Sequence, residues 1–312
     1  TIGRRLVDYL IEQGHLVTVV SRSPYKPATL PAKINFAQWD GKTADGWGHY
    51  VDGADAVVNL AGAGVADGRW TDARKKEIRE SRTNAAQAVI EAIQQAEVKP
   101  KVLIGASAIG YYGIHKSHTL TEQNPPGSGF LPEVCKEWEA AAEPVEAMGV
   151  RRVTIRTGVV LDPKGGAFPK IVMPFNFLAG GPIGSGRQWF SWIHYLDEVR
   201  AIEFLIKNEE AEGPFNLTAP HPLRNRDFAK IVGKVLSRPA FAPAPGLVFK
   251  VMFGEMSEVL LGSQRVLPQR LQSLGFTFKY SEAEEAVRDL LGVPDPNPPV
   301  EIEEVVVAEA TT

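Results

Sequence analysis

From Gly3 to about Gly158, short apolar extended runs alternate with amphipathic helical ones, and this alternation leaves few architectures open. Extended runs fall at Leu16 to Val20, Asn35 to Trp39, Ala56 to Leu60, Val102 to Ala106 and Val153 to Arg156. Strands joined through helices run parallel, because each helix carries the chain back to the starting edge, and both faces of the sheet are then covered. The helical stretches are patterned for that burial. Leu6, Val7, Leu10 and Ile11 form one stripe, with Gly14 placed to end the helix at positive φ. A long helix from Thr71 to Ala96 carries Ile78, Ala85, Val89 and Ile93 on one face, with Thr71 as its N-cap.

The stretch from Thr1 to Arg22 narrows the reading. Thr1-Ile2-Gly3 runs directly into the first helix, then Gly14, a short β-run and Ser21-Arg22. That is the order expected after the first strand of a dinucleotide-binding βαβ unit, with Gly3 as the last glycine of a G-x-x-G-x-x-G loop. The expected fold is a Rossmann-like doubly wound sheet in which the first strand and part of the glycine-rich loop are missing. No Met precedes Thr1, so a fragment or processed product is expected, with one wall of the nucleotide site lost.

In such sheets ligands lie beyond the carboxyl ends of the strands. Ile2 and Gly3 are therefore candidates to touch the cofactor phosphates. Ser21 and Arg22 follow the second expected strand, where an acidic residue usually holds the ribose 2′-hydroxyl. An Arg pairs instead with a 2′-phosphate, so NADP (NADPH) is expected over NAD. Asp40 is placed either to accept from the adenine amino group or to initiate a turn. Asn59, Leu60, Ala61 and Gly62 close the next strand with small residues that let a cofactor approach the backbone. Ser81, Arg82 and Asn84 face either the sheet or solvent. Ser107 follows a strand, with Tyr111 and Tyr112 close behind. A serine hydroxyl orients a reacting oxygen and a tyrosine transfers a proton if a cation lowers its pKa; the competing reading is a capped turn with two packing aromatics.

Composition excludes several alternatives. A net charge of -3 and a pI of about 6.1 argue against a nucleic-acid partner. Cys135 is the single cysteine, so no intramolecular disulfide is possible and a structural thiol is the better reading. The six histidines show no pairing on one helix face, and no metal is expected. No apolar run is long enough for a membrane span. The expected location is cytoplasmic, or the plastid stroma if a leader has been removed.

Beyond Gly158 the pattern loosens into a Gly/Pro-rich stretch from Pro163 to Gly186, read as a loop. Helices are expected near Asp197 to Lys207, Asn225 to Ser237 and Pro245 to Leu261, and a short docking module at Pro268 to Phe278. The expected division is a dinucleotide-binding domain over 1–160, a substrate lobe over 161–292 with contributions crossing back to the sheet, and an acidic, proline-rich disordered tail over 293–312.

Eight ordered stretches carry a specific resemblance: TIGRRL, NLAGAGVADGRW, KKEIRESRTNA, SAIGYYG, FLPEVCKEWEAA, IRTGVVLDPKGGA, GGPIGSGRQWFSWIH and LGSQRVLPQRLQSLGF. The chain resembles the extended short-chain dehydrogenase/reductases, in particular the epimerase/dehydratase branch with a C-terminal domain of unknown function. That branch is similar to the SulA-like and Giant Chloroplast proteins of cyanobacterial and plastid division. The resemblance implies an NADP-dependent oxidoreductase or epimerase acting on a small molecule, or a non-catalytic cofactor-binding protein with a partner in a division apparatus. It further implies that Gln188, Trp189 and His194 line a substrate pocket together with Tyr111. The chain departs from the superfamily at its Tyr-x-x-x-Lys pair. With Glu139 as the anchor, Leu131 stands at the tyrosine position and Cys135 at the lysine position, and Lys136 is one position off, about 100° around the helix. Ser107 and Tyr112 are the expected catalytic pair, orienting and protonating the reacting oxygen.

Overall fold

The computed structural model describes residues 2–28, 30–115, 117–242, 244–294 and 296. The expected tail beyond 296 lies outside the described residues. Helix α1 (Ile2–Glu12) and strands β1 (Thr18–Ser21) and β2 (Asn35–Gln38) come first. After β3 (Ala56–Asn59), α2 (Asp72–Gln95) leads to β4 (Val102–Ala108), and β5 (Thr119–Leu120) precedes α3 (Phe130–Ala141). Next are β6 (Arg151–Thr157), β7 (Val159–Asp162), β8 (Gly165–Gly166), α4 (Phe168–Asn176), β9 (Trp189–Phe190), β10 (Trp192–His194), α5 (Tyr195–Lys207) and β11 (Gly213–Leu217). The chain continues with β12 (Leu223–Arg224), α6 (Asn225–Leu236), α7 (Gly246–Phe253), α8 (Ser257–Leu261), β13 (Arg265–Val266), α9 (Gln269–Ser273) and α10 (Ala283–Leu291).

The chain forms an α/β, Rossmann-like parallel sheet. Four strands in the order β11-β6-β4-β3 are all parallel, and β1-β2 form a separate parallel pair. Beneath the sheet, Ile104, Ile155, Phe215 and Leu217 pack with Ile202 and Leu205 of α5. On the other face, Val89, Ala92 and Ile93 of α2 pack with Leu103 and Val145. Ile78 and Ile93 are fully buried, each contributing roughly 2 kcal/mol of apolar burial. The Thr71 hydroxyl accepts from Arg74 N at 3.2 Å, capping α2 as expected. Gly14 follows α1 at φ 85°, a conformation a side chain would strain.

Three expectations are corrected. The first β-run begins at Thr18, where pairing with Asn35 starts, and Leu16 is 99% exposed. The Gly/Pro-rich stretch contains α4, because Phe168, Val172 and Phe175 recur at helical spacing and bury against Phe228 and Val232 of α6. The helix expected from Pro245 to Leu261 is interrupted at Gly254, whose φ of 58° breaks it into α7 and α8. The segments beyond residue 160 are also tied closely to those before it. Beyond β11, which returns to the sheet, β13 pairs with β5, and Arg5 of α1 grips Asp162 at the end of β7 through two hydrogen bonds of 3.1 and 2.6 Å.

Candidate functional site

The carboxyl ends of β1, β2, β3 and β4 gather the candidate residues. A Cβ on Gly3 would lie 3.8 Å from Leu60 Cδ1, so the first turn of α1 meets the end of β3. Ile2, at the start of the same helix, is half-buried against the core under the sheet. Ser21 ends β1, and its carbonyl accepts from Trp39 N at 2.8 Å. Arg22 is exposed, and its Cδ stands 3.3 Å from where a Cβ of Gly41 would be, in the turn after β2. Among the described residues its guanidinium has no hydrogen-bond or ion-pair partner. Asp40 initiates that turn. Its carboxylate accepts from Lys42 N at 2.7 Å, Thr43 N at 2.9 Å and Thr43 Oγ1 at 3.1 Å, and these bonds, the Thr43 amide first, hold it below the usual carboxylate range.

The segment after β3 is clamped to α2. Asn59 Oδ1 accepts from Ala61 N at 3.1 Å, turning the chain at Leu60. Ala63 N donates to Ser81 Oγ at 2.9 Å, and the Ala63 carbonyl accepts from Arg82 Nη1 at 3.0 Å. Gly62 is exposed, and its α-carbon passes so close to Arg82 that a Cβ would lie 3.2 Å from Cζ. Ser81 and Arg82 thus face the sheet side, and Arg82 is only 8% exposed.

At the end of β4, Ser107 donates to Glu139 Oε1 at 2.6 Å. Glu139 also receives Arg156 Nε at 2.9 Å and Nη2 at 2.8 Å, a bidentate pair. Arg156 Nη1 donates to Tyr112 OH at 3.1 Å, and that hydroxyl donates to Asn216 Oδ1 at 2.7 Å. The five side chains form one buried network, with the Arg156 guanidinium 3.4 Å above the half-exposed ring of Tyr111. Sequence reasoning missed Glu139, Arg156 and Asn216 as members. The faint signal was an acid in α3 and an arginine inside an otherwise apolar strand.

Helix α3 presents Leu131 and Cys135 to the turn after β4. A Cβ on Gly110 would lie 3.5 Å from Leu131 Cβ and 3.8 Å from Cys135 Sγ. Burial, reinforced by Glu139, pushes the Cys135 thiol up to about 11, so it is neutral at pH 7. Lys136 points away and is exposed. This turn therefore receives neither a phenol nor an ammonium from α3.

Two expected roles fail on burial. Tyr112 is 0% exposed, and burial raises its pKa to about 12, so it cannot meet a substrate oxygen; it is a structural member of the network. His194 is also 0% exposed and caps α5: Nδ1 accepts from Leu196 N at 3.1 Å, while Nε2 faces Asp289 Oδ2 at 3.1 Å. It lines no pocket. Gln188 is buried and spends its amide on the Ile183 carbonyl at 2.8 Å. Trp189 is half-exposed, between the guanidinium of Arg224 at 3.9 Å and that of Arg265 at 4.7 Å. An open cleft of about 520 Å³ is lined by Ile114, Lys250, Glu255, Glu258 and Leu261. Nearby Met256 packs with Leu131 and Ile78, so the cleft adjoins the α3 side of the site. Among the described residues, no group of three or more His, Cys, Asp or Glu is placed to hold a metal, and no helix is long and apolar enough to cross a membrane.

A parallel sheet with a glycine at the first helix, small residues after β3 and a serine near the carboxyl end of β4 defines a dinucleotide-binding protein of the short-chain dehydrogenase/reductase type. The chain belongs to the NAD dependent epimerase/dehydratase family, whose model matches residues 1–218, and residues 244–290 match a domain of unknown function, DUF1731. It is 41% identical over 293 residues to the chloroplastic SDR39U1 homolog of Arabidopsis thaliana, an epimerase family protein, covering 93% of this chain and 84% of that one. It is equally 41% identical over 292 residues to the epimerase family protein SH2119 of Staphylococcus haemolyticus, covering 93% and 95%. Among solved structures it is similar to the human epimerase family protein SDR39U1 (isoform 2) with NADPH, with a TM-score of 0.84, 32% identity and coverage of 94% and 96%. The UDP-N-acetylglucosamine 4-epimerase of Bacillus cereus shares the fold at a TM-score of 0.73 and 14% identity.

Proposed function

We propose that this protein binds NADP(H), in preference to NAD(H), and uses it as an oxidoreductase or epimerase on a small molecule lying toward the cleft beside α3. The observation that carries the reading is Arg22: an exposed guanidinium without a partner among the described residues, at the carboxyl end of β1 where a 2′-phosphate would be received. Similarity to a human relative solved with NADPH supports it. Ile2 and Gly3, at the N-terminus of α1 with Gly3 close against Leu60, suit the pyrophosphate. Asn59, Leu60, Ala61 and Gly62 provide the close backbone wall, and Asp40 borders the adenine side through its turn. When bound, the nicotinamide supplies or accepts hydride.

The chain's own contribution to proton handling is limited. Ser107 donates its proton to Glu139, so toward a substrate its oxygen acts as an acceptor and orients a hydroxyl. Tyr111 is the remaining phenol near this turn with a half-exposed ring. With intact protein, calorimetry is expected to give at least ten-fold tighter binding of NADPH than NADH, and Arg22→Ala is expected to erase the difference. Equal affinities in the unmutated protein refute the NADP reading.

A second reading, cofactor binding without turnover, is favoured by Leu131 and Cys135 facing Gly110. A panel of carbonyl compounds and nucleotide sugars separates the two. Turnover of bound NADPH or NADP on any member, lost in Tyr111→Phe or Ser107→Ala, rejects the non-catalytic reading.

A further inference from the structure

A guanidinium buried without a counter-charge is costly, because desolvating a cation is repaid only by a nearby anion. Arg82 is in that position. It is 8% exposed, its Nη1 donates to the carbonyls of Ala63 at 3.0 Å and Ile78 at 2.8 Å, and its Cζ lies 4.7 Å from the Trp138 ring. No carboxylate of the described residues pairs with it. Among the described residues, the only neighbour able to become an anion is Cys135, whose thiol stays neutral at pH 7, and Arg74 adds further positive charge. Glu139, one helical turn from Cys135, is already occupied by Arg156 and Ser107. Among the described residues Nε and Nη2 of Arg82 have no acceptor, yet they are not sealed from solvent. An uncompensated cation with free donors therefore borders the space between the ends of β3 and β4, against Gly62 on one side and α3 on the other.

We propose that Arg82 receives an anionic group, a carboxylate or a phosphate, of the molecule that reacts beside Ser107. The substrate would then be an acid or a phosphate ester rather than a neutral carbonyl compound. This deepens the reading above and rests on it, since that reading assigns the cofactor phosphates to other places, the α1 N-terminus and Arg22. Planar two-nitrogen presentation suits a carboxylate or phosphate edge.

The test uses the intact protein saturated with NADPH, with malonate and inorganic phosphate as probes at constant ionic strength, followed by calorimetry and by the Arg82 guanidinium NMR signal. That signal is assigned by its absence in Arg82→Lys. Unmutated protein is expected to bind one probe anion per chain with a shift of the Arg82 signal. Arg82→Gln is expected to weaken the anion at least ten-fold while changing NADPH affinity less than three-fold, and Arg82→Lys is expected to retain part of the anion affinity. The proposal is overturned if unmutated protein binds neither probe, if the probes bind without moving the Arg82 signal, or if anion affinity is the same in Arg82→Gln. A ten-fold loss of NADPH affinity with anion binding intact overturns it too, by assigning Arg82 to the cofactor. Should Arg82→Gln not fold, the NMR titration and Arg82→Lys decide. Failure of NADPH to bind the unmutated protein is read separately and sinks the cofactor reading instead.

Discussion

The His194 ring offers a quantitative check on the structure, because its surroundings fix both its charge and its tautomer. The Leu196 amide can only donate, so Nδ1 accepts and the ring proton sits on Nε2, directed at Asp289. Burial pushes the pKa down to about 4, although Asp289 and Asp197 act to raise it. An unfolded histidine titrates at about 6.5. Between these values the unfolded chain binds a proton that the folded chain refuses, so stability present at neutral pH is lost as pH falls below about 6.5. Linkage gives a loss of about 2 kcal/mol between pH 7 and pH 5 from this one group. His194→Asn keeps a side-chain acceptor for the helix cap and removes the titration. Urea unfolding at several pH values is expected to show that the unmutated protein loses about 2 kcal/mol more than the variant between pH 7 and pH 5, whatever constant offset the smaller side chain introduces. Parallel pH profiles would refute the argument that the ring is held neutral.

Two further variants probe neighbouring burial. The Glu198 carboxyl is fully enclosed, bonded to Thr157 at 2.9 Å, and pushed up to about 8 by burial; the folded chain keeps a proton that the unfolded chain releases, so stability falls as pH rises from about 4.5 toward 8. Glu198→Gln is expected to remove on the order of 3 kcal/mol of that decline between pH 5 and pH 8, measured by the same urea series, and an unchanged profile would mean the carboxyl is ionised in the fold. Tyr112→Phe strips a hydroxyl from between Asn216 and Arg156 and is expected to lower stability by about 1–3 kcal/mol in thermal or urea unfolding, with NADPH affinity unchanged; a selective loss of turnover at full stability would restore Tyr112 to the chemistry.

The periodic parts of the fold were legible because they depend on local pattern. The α2 stripe of Ile78, Ala85, Val89 and Ile93, its Thr71 cap and the turn at Gly14 all follow from neighbours within a few residues. Helix α4 was obscured by its own Pro169 and Pro174 and by the glycines on either side, which mask the spacing of Phe168, Val172 and Phe175. The site was legible as a set of strand ends and less so as chemistry. Tyr112 and His194 carry suitable functional groups, but which way each faces is decided by Arg156, Asn216 and Asp289, residues far away in the sequence. Arg82 was balanced between sheet and solvent for the same reason: its helix position is periodic, while the carbonyl of Ala63 that draws it inward belongs to another segment.

The chain of hydrogen bonds from Ser107 through Glu139, Arg156 and Tyr112 to Asn216 also bears on the thermodynamics of binding. It anchors the turn after β4 to α3, β6 and β11 from the inside, with partners that do not include any ligand. The edge proposed to react is therefore held in shape by the protein's own side chains, and little conformational entropy remains to be lost there on binding. Affinity at this edge is governed by what the ligand itself brings, while the freedom to change chemistry is left to the side chains around the network, Leu131, Cys135 and Tyr111 among them.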